Sequence, residues 1–497
     1  QLALAVVYPG AGNIGGGGFM VAHLKNGKNI SLDYREKAPE KASRDMYLDK
    51  DGTPIPALAQ KGHLACGVPG TIAGLFATMK YAKLNANKLF QPAIKLAEKG
   101  FAITAAQAQS LNESRQAFLA VNKDAVAFVK EIQWQEGDTL VQPELAATLK
   151  RIRDKGSKEF YEGTTAKYIV AEMMKGNGII NLQDLKDYKA IERPVIDFNY
   201  KGYQVIGMGL PSSGGIILQQ MMKMVEKRNI AAMGFQTAAS VQLMVEAERR
   251  AYADRANYLG DMDFIKVPLK TLLSDAYLTE RMHDYEPGKA GNSKTAGAGV
   301  VHESEETTHI SIVDNDGNAV AITTTLNDSY GSKTVVTGAG FILNDEMDDF
   351  SIKEGFPNLY GAIGNAANAI APKKRMLSSM TPTIVLKNNK PYIIVGSPGG
   401  TTISTSVFQS LMNLLEFKLS ADEAVNKPKF HHQWLPDIIH IEKTFPAAIT
   451  SQLEQMGYTV VPRVPIGRTE LIVIDRHPSK KITAIADHRG DDDAEGL

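Results

Sequence analysis

The sequence predicts an α+β chain made of two unlike halves, and three observations carry that reading. From Gly70 to about Glu192 the apolar residues recur at the three-to-four-residue spacing of helices. Residues 286–306 break the pattern, with Pro287–Gly299 small, polar and aperiodic. From Thr308 onward, short alternating runs bounded by turn residues read as strands. The chain has 497 residues, enough for several domains or one unusually large core.

The elements follow in order. The run Gly10-Ala11-Gly12-Asn13-Ile14-Gly15-Gly16-Gly17-Gly18 matches GxGxxG, with Asp33 about 20 residues on. That outline belongs to a dinucleotide-binding oxidoreductase, but the third glycine of such a fingerprint opens a helix. Here Phe19–Leu24 reads as a strand, Asn26-Gly27 as a hairpin turn and Asn29–Tyr34 as a second strand, which leaves no room for a crossover helix. Helices are expected at 71–83, 92–99, 105–116, 143–155, 165–176 and 182–188, then a strand over 194–206, and helices at 216–227 and 238–258. Beyond the aperiodic seam, 308–313 and 319–326 form a hairpin through Asp314-Asn315-Asp316-Gly317-Asn318. Further strands fit 340–343, 383–386, 392–395 and 470–475. Helices fit 405–417 and 446–456, with Pro446 at a first helical position, where its missing N–H costs nothing.

Composition removes several function classes. The 55 Lys and Arg balance 55 Asp and Glu, so there is no basic face for nonspecific nucleic-acid binding. Cys66 is the single cysteine, which excludes an intramolecular disulfide framework and a cysteine-based zinc cluster. No stretch approaches the roughly 20 apolar residues of a membrane-spanning helix.

The seam ends at Glu306, directly before Thr307-Thr308-His309. A threonine hydroxyl is a poor nucleophile without a base beside it. A threonine at a polypeptide N-terminus carries its own, because a free α-amine titrates near ~7.7–8.0. A mid-chain threonine gains that amine only if the preceding bond is cut, and a flexible segment before a strand suits such a cut. Read from composition alone, a threonine at a strand start is structural.

Thr307-Thr308-His309-Ile310-Ser311-Ile312-Val313-Asp314 resembles the start of the small subunit of γ-glutamyltranspeptidases. Asp33-Tyr34-Arg35-Glu36-Lys37-Ala38-Pro39, Arg375-Met376-Leu377-Ser378-Ser379-Met380-Thr381-Pro382 and Gly396-Ser397-Pro398-Gly399-Gly400 resemble other motifs of that family, in order along nearly the whole chain. Lesser echoes include Pro211–Gly215, Asn344–Asp349, Ala251-Tyr252-Ala253-Asp254-Arg255 and His431–Pro436. The resemblance implies an N-terminal-nucleophile hydrolase with a four-layer αββα sandwich. It implies a precursor that cuts itself between Glu306 and Thr307 into a large subunit, 1–306, and a small catalytic subunit, 307–497, intertwined in one domain. The first few dozen residues of the mature large subunit would lie outside this sequence.

Carried across residue by residue, Thr307 would attack the γ-amide of a γ-glutamyl donor such as glutathione. Water, or an amino-acid or dipeptide acceptor, would resolve the ester. Thr325 would hydrogen-bond to Thr307, and Gly399 and Gly400 would supply the oxyanion-hole N–H groups, where no Cβ crowds the approach. Arg35 would fork the donor's α-carboxylate, with Ser378 and Ser379 donating to the same group. Asn327, Glu346 and Asp349 would hold the α-ammonium, in a stretch (307–350) with seven acids and one base, Lys333. Some relatives carry Gln at position 346. Residues 353–374 match a pocket-covering lid in which Tyr360 would be the gate.

The alternatives weighed against this are structural ones for most residues: β-propensity for Thr325, a solvated strand face for Arg35, a turn for Gly399-Gly400, and packing for His309, His431 and His432. Asp345–Asp349 lacks the spacing and central glycine of an EF-hand, and neither a metal nor another cofactor is implied. Within the family, an acylase for glutaryl-type cephalosporin side chains is the rival; a glutaryl group has no α-ammonium for Glu346 and Asp349 to hold. The resemblance also implies a bacterial periplasmic or secreted location. Nothing covalent is expected to join the halves.

Overall fold

The computed structural model describes residues 1–12, 14–294, 307–358, 364–476 and 479–496. Two antiparallel sheets lie face to face at its centre. One has five strands in the order Ile191–Arg193, Asn29–Asp33, Gly17–His23, Ala319–Thr325, Thr308–Val313. The other has six, in the order Lys481–Ile485, Glu470–Asp475, Lys390–Gly396, Thr383–Lys387, Tyr203–Gly207, Ile196–Tyr200. Each sheet draws strands from both sides of the seam, so neither half of the sequence closes a sheet alone.

Alternation along the strands explains the layering, because successive side chains point to opposite faces. Phe19, Val21, Ala319 and Ala321 from the five-stranded sheet meet Ile206, Ile384, Leu386, Ile394, Ile472 and Ile474 from the six-stranded sheet in one buried cluster. The intervening residues Val205, Val385, Ile393, Val395, Leu471 and Val473 face the other way. They pack on helices Gly214–Glu226, Ala238–Tyr258 and Thr402–Leu415. On the five-stranded sheet, Met20, Ala22, Ile30, Leu32 and Tyr34 form the outward face, with Ala77 of helix Thr71–Thr78 against it. Gly74 of that helix permits the approach, since a Cβ there would come within 2.4 Å of the Tyr34 ring. The result is helix, sheet, sheet, helix: the expected four-layer sandwich.

Several sequence expectations change. The hairpin after Gly18 is present, with strand Gly17–His23 antiparallel to Asn29–Asp33, so the glycine run is no dinucleotide fingerprint. Its glycines serve close packing instead: a Cβ on Gly15 would lie 2.0 Å from the Ile342 carbonyl. The single strand expected over 194–206 is a hairpin, folded by Lys201 (φ 45°) and Gly202 (φ 86°). Lysine is an unusual first residue for such a turn, and it hid the turn from composition. Residues 340–343 make isolated bridges at Ile342 and Leu343 rather than a strand. The helix placed at 92–99 begins at Ala86, capped by Asn85, with Pro92 inside it. Pro446 caps the helix it was expected to open. Strands Ile439–Glu442, Val460–Arg463 and Lys481–Ile485 were not anticipated; the first two pair in parallel, which needs long-range contact to specify.

Among the described residues, no helix is long and apolar enough to cross a membrane. Because Phe19 is fully buried between the sheets, Phe19→Ala should lower unfolding free energy by about 3–5 kcal/mol. A shifted urea midpoint with an unchanged slope would register it.

Candidate active site

Thr307 immediately precedes strand Thr308–Val313, whose pairing sets Thr308 opposite Thr324 and so brings Thr307 beside Thr325 at the hairpin's open end. Both line a cleft of about 340 Å³, including its mouth, together with Arg35, Arg255, Asn327, Asp349, Asn358, Ser378, Ser379, Met380, Gly400, Thr401 and Ile403. Thr307 is buried, and its carbonyl accepts from Arg468 Nη2 at 3.3 Å. Thr325 Oγ1 accepts from the Asn327 backbone N–H at 2.8 Å. Asn327, at φ 84°, turns the chain out of the strand, and its Nδ2 donates to the Asp345 carbonyl at 3.2 Å.

Arg35 follows strand Asn29–Asp33 and is not on a solvated face: it is 1% exposed. Its backbone is pinned by Asp33 Oδ1, by the Tyr188 hydroxyl and by Arg375 Nε. Its guanidinium donates to Asp349 Oδ2, lies 2.5 Å from Glu346 Oε2 and is 3.6 Å from Glu36 Oε2. Three acids around one cation leave a surplus of negative charge in a dry place. Burial pushes the Glu36 carboxyl up to about 8 despite the pull of Arg35, and it drives Glu346 and Asp349 upward as well. Asp349 reaches the cleft wall, steadied by Asn358 Nδ2 at 3.0 Å. Glu346, expected to touch an α-ammonium, is fully buried behind the arginine and does not line the cleft.

The other wall is the start of helix Thr402–Leu415. Gly399 (φ 126°) and Gly400 (φ 53°) both take left-handed backbone that a glycine adopts without strain. The Gly399 carbonyl accepts from the Thr402 N–H at 2.9 Å and Oγ1 at 2.7 Å, which fixes the first turn. Gly400 lines the cleft and Gly399 sits just behind it. The partial positive end of the helix is therefore turned to the cleft. Ser378 and Ser379 lie on the same lining, the Ser378 carbonyl accepting from the Ser213 N–H and hydroxyl. Glu306 and Tyr360 lie outside the described residues.

The histidines stand apart from the cleft. His309 is buried between Thr323 and Ser311 hydroxyls, with its pKa pushed down to about 3 by desolvation. His431 bonds Thr405 and Gln433, and His432 bonds Asp437. Sequence reasoning gave no role to Arg255, Asn358 or Thr401. One signal for Arg255 was available: it closes the Ala251–Arg255 run that echoes a family motif, while the charges spread around helix Ala238–Tyr258 gave no local hint of its burial.

The two packed sheets flanked by helices, with a threonine at a strand start facing the cleft, define an N-terminal-nucleophile hydrolase fold. Likeness to solved structures agrees: a cephalosporin acylase from Bacillus halodurans superposes with a TM-score of 0.85 over 99% of this chain and 88% of that one, a likeness of fold at 23% identity. The gamma-glutamyltranspeptidase family model matches residues 1–497. The glutathione hydrolase proenzyme of Escherichia coli strain K12 is 45% identical over 500 residues, covering 99% of this chain and 85% of that one. The gamma-glutamyltranspeptidase of Helicobacter pylori is 44% identical, with a TM-score of 0.58 over 59% of this chain and 85% of that one. The chain belongs to the γ-glutamyltranspeptidase family, a family of enzymes.

The acid surplus around Arg35 has a pH signature. Between Glu36's ordinary value of 4.5 and its folded value of about 8, the native state holds a proton that the unfolded chain has released. Stability then falls as pH rises through that window. Glu36→Gln should flatten this decline, read as urea midpoints at pH 5 and pH 8 for variant and parent.

Proposed function

We propose that this chain transfers and hydrolyses γ-glutamyl groups. The observation that carries the reading is the pairing of Arg35 with Asp349 in the cleft that also holds Thr307. A guanidinium and a carboxylate side by side match the two charges of an amino acid's α-carbon end, each finding its opposite. The α-carboxylate would take Arg35 with Ser378 and Ser379. The α-ammonium would take Asp349 and Asn327, whose Nδ2 is committed to Asp345 so that Oδ1 is the atom suited to accept. Glu346 would act through Arg35, holding the guanidinium in place.

Thr307 Oγ would then attack the γ-carbonyl carbon, its α-amine taking the hydroxyl proton and passing it to the departing amine. Thr325 would orient the hydroxyl, and the Gly399 and Gly400 N–H groups would meet the developing oxyanion at the helix start. Water or an acceptor amine would open the γ-glutamyl ester and restore Thr307. The amine exists only after the bond between Glu306 and Thr307 is cut, so the reading includes a processed pair of subunits, 1–306 and 307–497. Glutathione-sized donors and amino-acid or dipeptide acceptors are what the family resemblance suggests for it. A periplasmic or secreted location rests on the family resemblance. Against the glutaryl-acylase alternative, a glutaryl group would set an uncharged methylene against Asp349.

Denaturing electrophoresis with N-terminal sequencing should give two fragments, the smaller beginning Thr307-Thr308-His309. The preparation should hydrolyse γ-glutamyl-p-nitroanilide. Thr307→Ala should stay whole and inactive; an active wild-type enzyme found as one intact chain would reject the mechanism.

A further inference from the structure

Among the described residues, the buried arginines have ion-pair partners, with one exception. Arg35 meets Glu346 and Asp349, Arg249 meets Glu246 and Asp437, Arg250 meets Glu246 and Asp284, and Arg375 meets Asp33. Arg255 is 8% exposed and forms no ion pair among the described residues. Among the described residues, its one side-chain hydrogen bond runs from Nε to Ser213 Oγ at 3.0 Å. Among the described residues, the two terminal nitrogens of the guanidinium have no hydrogen-bond partner, and Arg255 lines the cleft.

A guanidinium stays charged at any working pH, and a buried one without a counter-charge is unfavourable unless a ligand supplies it. The surroundings say which part of a ligand. Asp349 attracts Arg255 and Arg35 repels it, so it lies within electrostatic reach of the zwitterion-matching pair. Its tether is built: the Ser213 hydroxyl spends its proton on the Ser378 carbonyl at 2.7 Å and accepts from Arg255 with a lone pair. Arg255 is thereby fixed to the segment that carries Ser378 and Ser379.

We propose that Arg255 is a second carboxylate-binding guanidinium, which with Arg35 clamps the α-carboxylate of the donor and sets selectivity for donors that carry one. This rests on the γ-glutamyl reading. It also places a second cation beside Arg35, whose guanidinium is already engaged by Glu346 and Asp349.

The test compares ligands that differ only in that carboxylate. L-glutamate and 4-aminobutyrate are measured as competitive inhibitors of γ-glutamyl-p-nitroanilide hydrolysis by the processed wild-type enzyme and by the R255Q, R255K and S213A variants. Loss of a charged hydrogen bond should weaken glutamate by about tenfold or more in R255Q, with a parallel rise in KM for γ-glutamyl-p-nitroanilide. The 4-aminobutyrate constant should stay within about twofold. R255K should recover part of the loss, and S213A should show a smaller loss of the same kind. Melting temperature and subunit pattern report folding; should R255Q not fold, R255K and S213A carry the test. Unchanged glutamate inhibition overturns the proposal, as does equal weakening of both inhibitors. A rise in KM confined to glutathione would move Arg255 to the leaving-group end and overturn it too. A well-folded wild-type enzyme that does not hydrolyse γ-glutamyl-p-nitroanilide would instead reject the γ-glutamyl reading itself.

Discussion

A guanidinium removed from water has to find its counter-charges inside the protein, and Arg35 finds them across the seam. Its partners Glu346 and Asp349 lie more than 300 residues away in sequence, beyond Thr307. The attraction between unit charges rises steeply as the surroundings dry out, and so does the penalty for leaving either one alone. Burial of Arg35 and assembly of the cleft therefore depend on the same contacts across the seam. The backbone around Arg35 is held accordingly, by Asp33, Tyr188 and Arg375, each from a different segment of the chain.

The sheets supply the frame for that contact. The hairpin that follows Thr307 lies in the five-stranded sheet, and the helix that begins at Thr402 runs on from strand Lys390–Gly396 of the six-stranded one. The inter-sheet cluster around Phe19 and Ile394 fixes the distance between them. Thr307 and the glycine pair thus face each other because two flat apolar surfaces pack at a spacing their side chains determine. The cleft is the place where that packing stops.

Much of this was legible in the residues because it is local. Strand alternation, the Asp314–Asn318 turn and the helix over 238–258 each follow from spacings within a short window, and each matches what was expected. What escaped depended on distant contacts. The Lys201-Gly202 turn is enforced by pairing of its flanking strands rather than by turn-forming residues. From strand alternation alone Arg35 would be a solvated charge, and only the family motif pointed inward; its burial comes with the ion pairs to Glu346 and Asp349 from the 344–349 segment. The ion pair of Glu346 with Arg35 was also invisible in sequence, since the two lie more than 300 residues apart. Arg255 gave no local signal of burial, because its helix carries charges around it and is buried only by tertiary packing.

By itself, the sequence determined the αβ pattern, the seam before Thr307 and the set of motifs that mark the family, since each is written in residues close together along the chain. The tertiary structure decided which of those residues share a cleft, which carboxylates Arg35 engages and which cleft arginine makes no ion pair among the described residues. Those are questions of charge balance in a dry interior. Charge balance is set by what comes within a few ångströms in space, however far apart the residues lie in the chain.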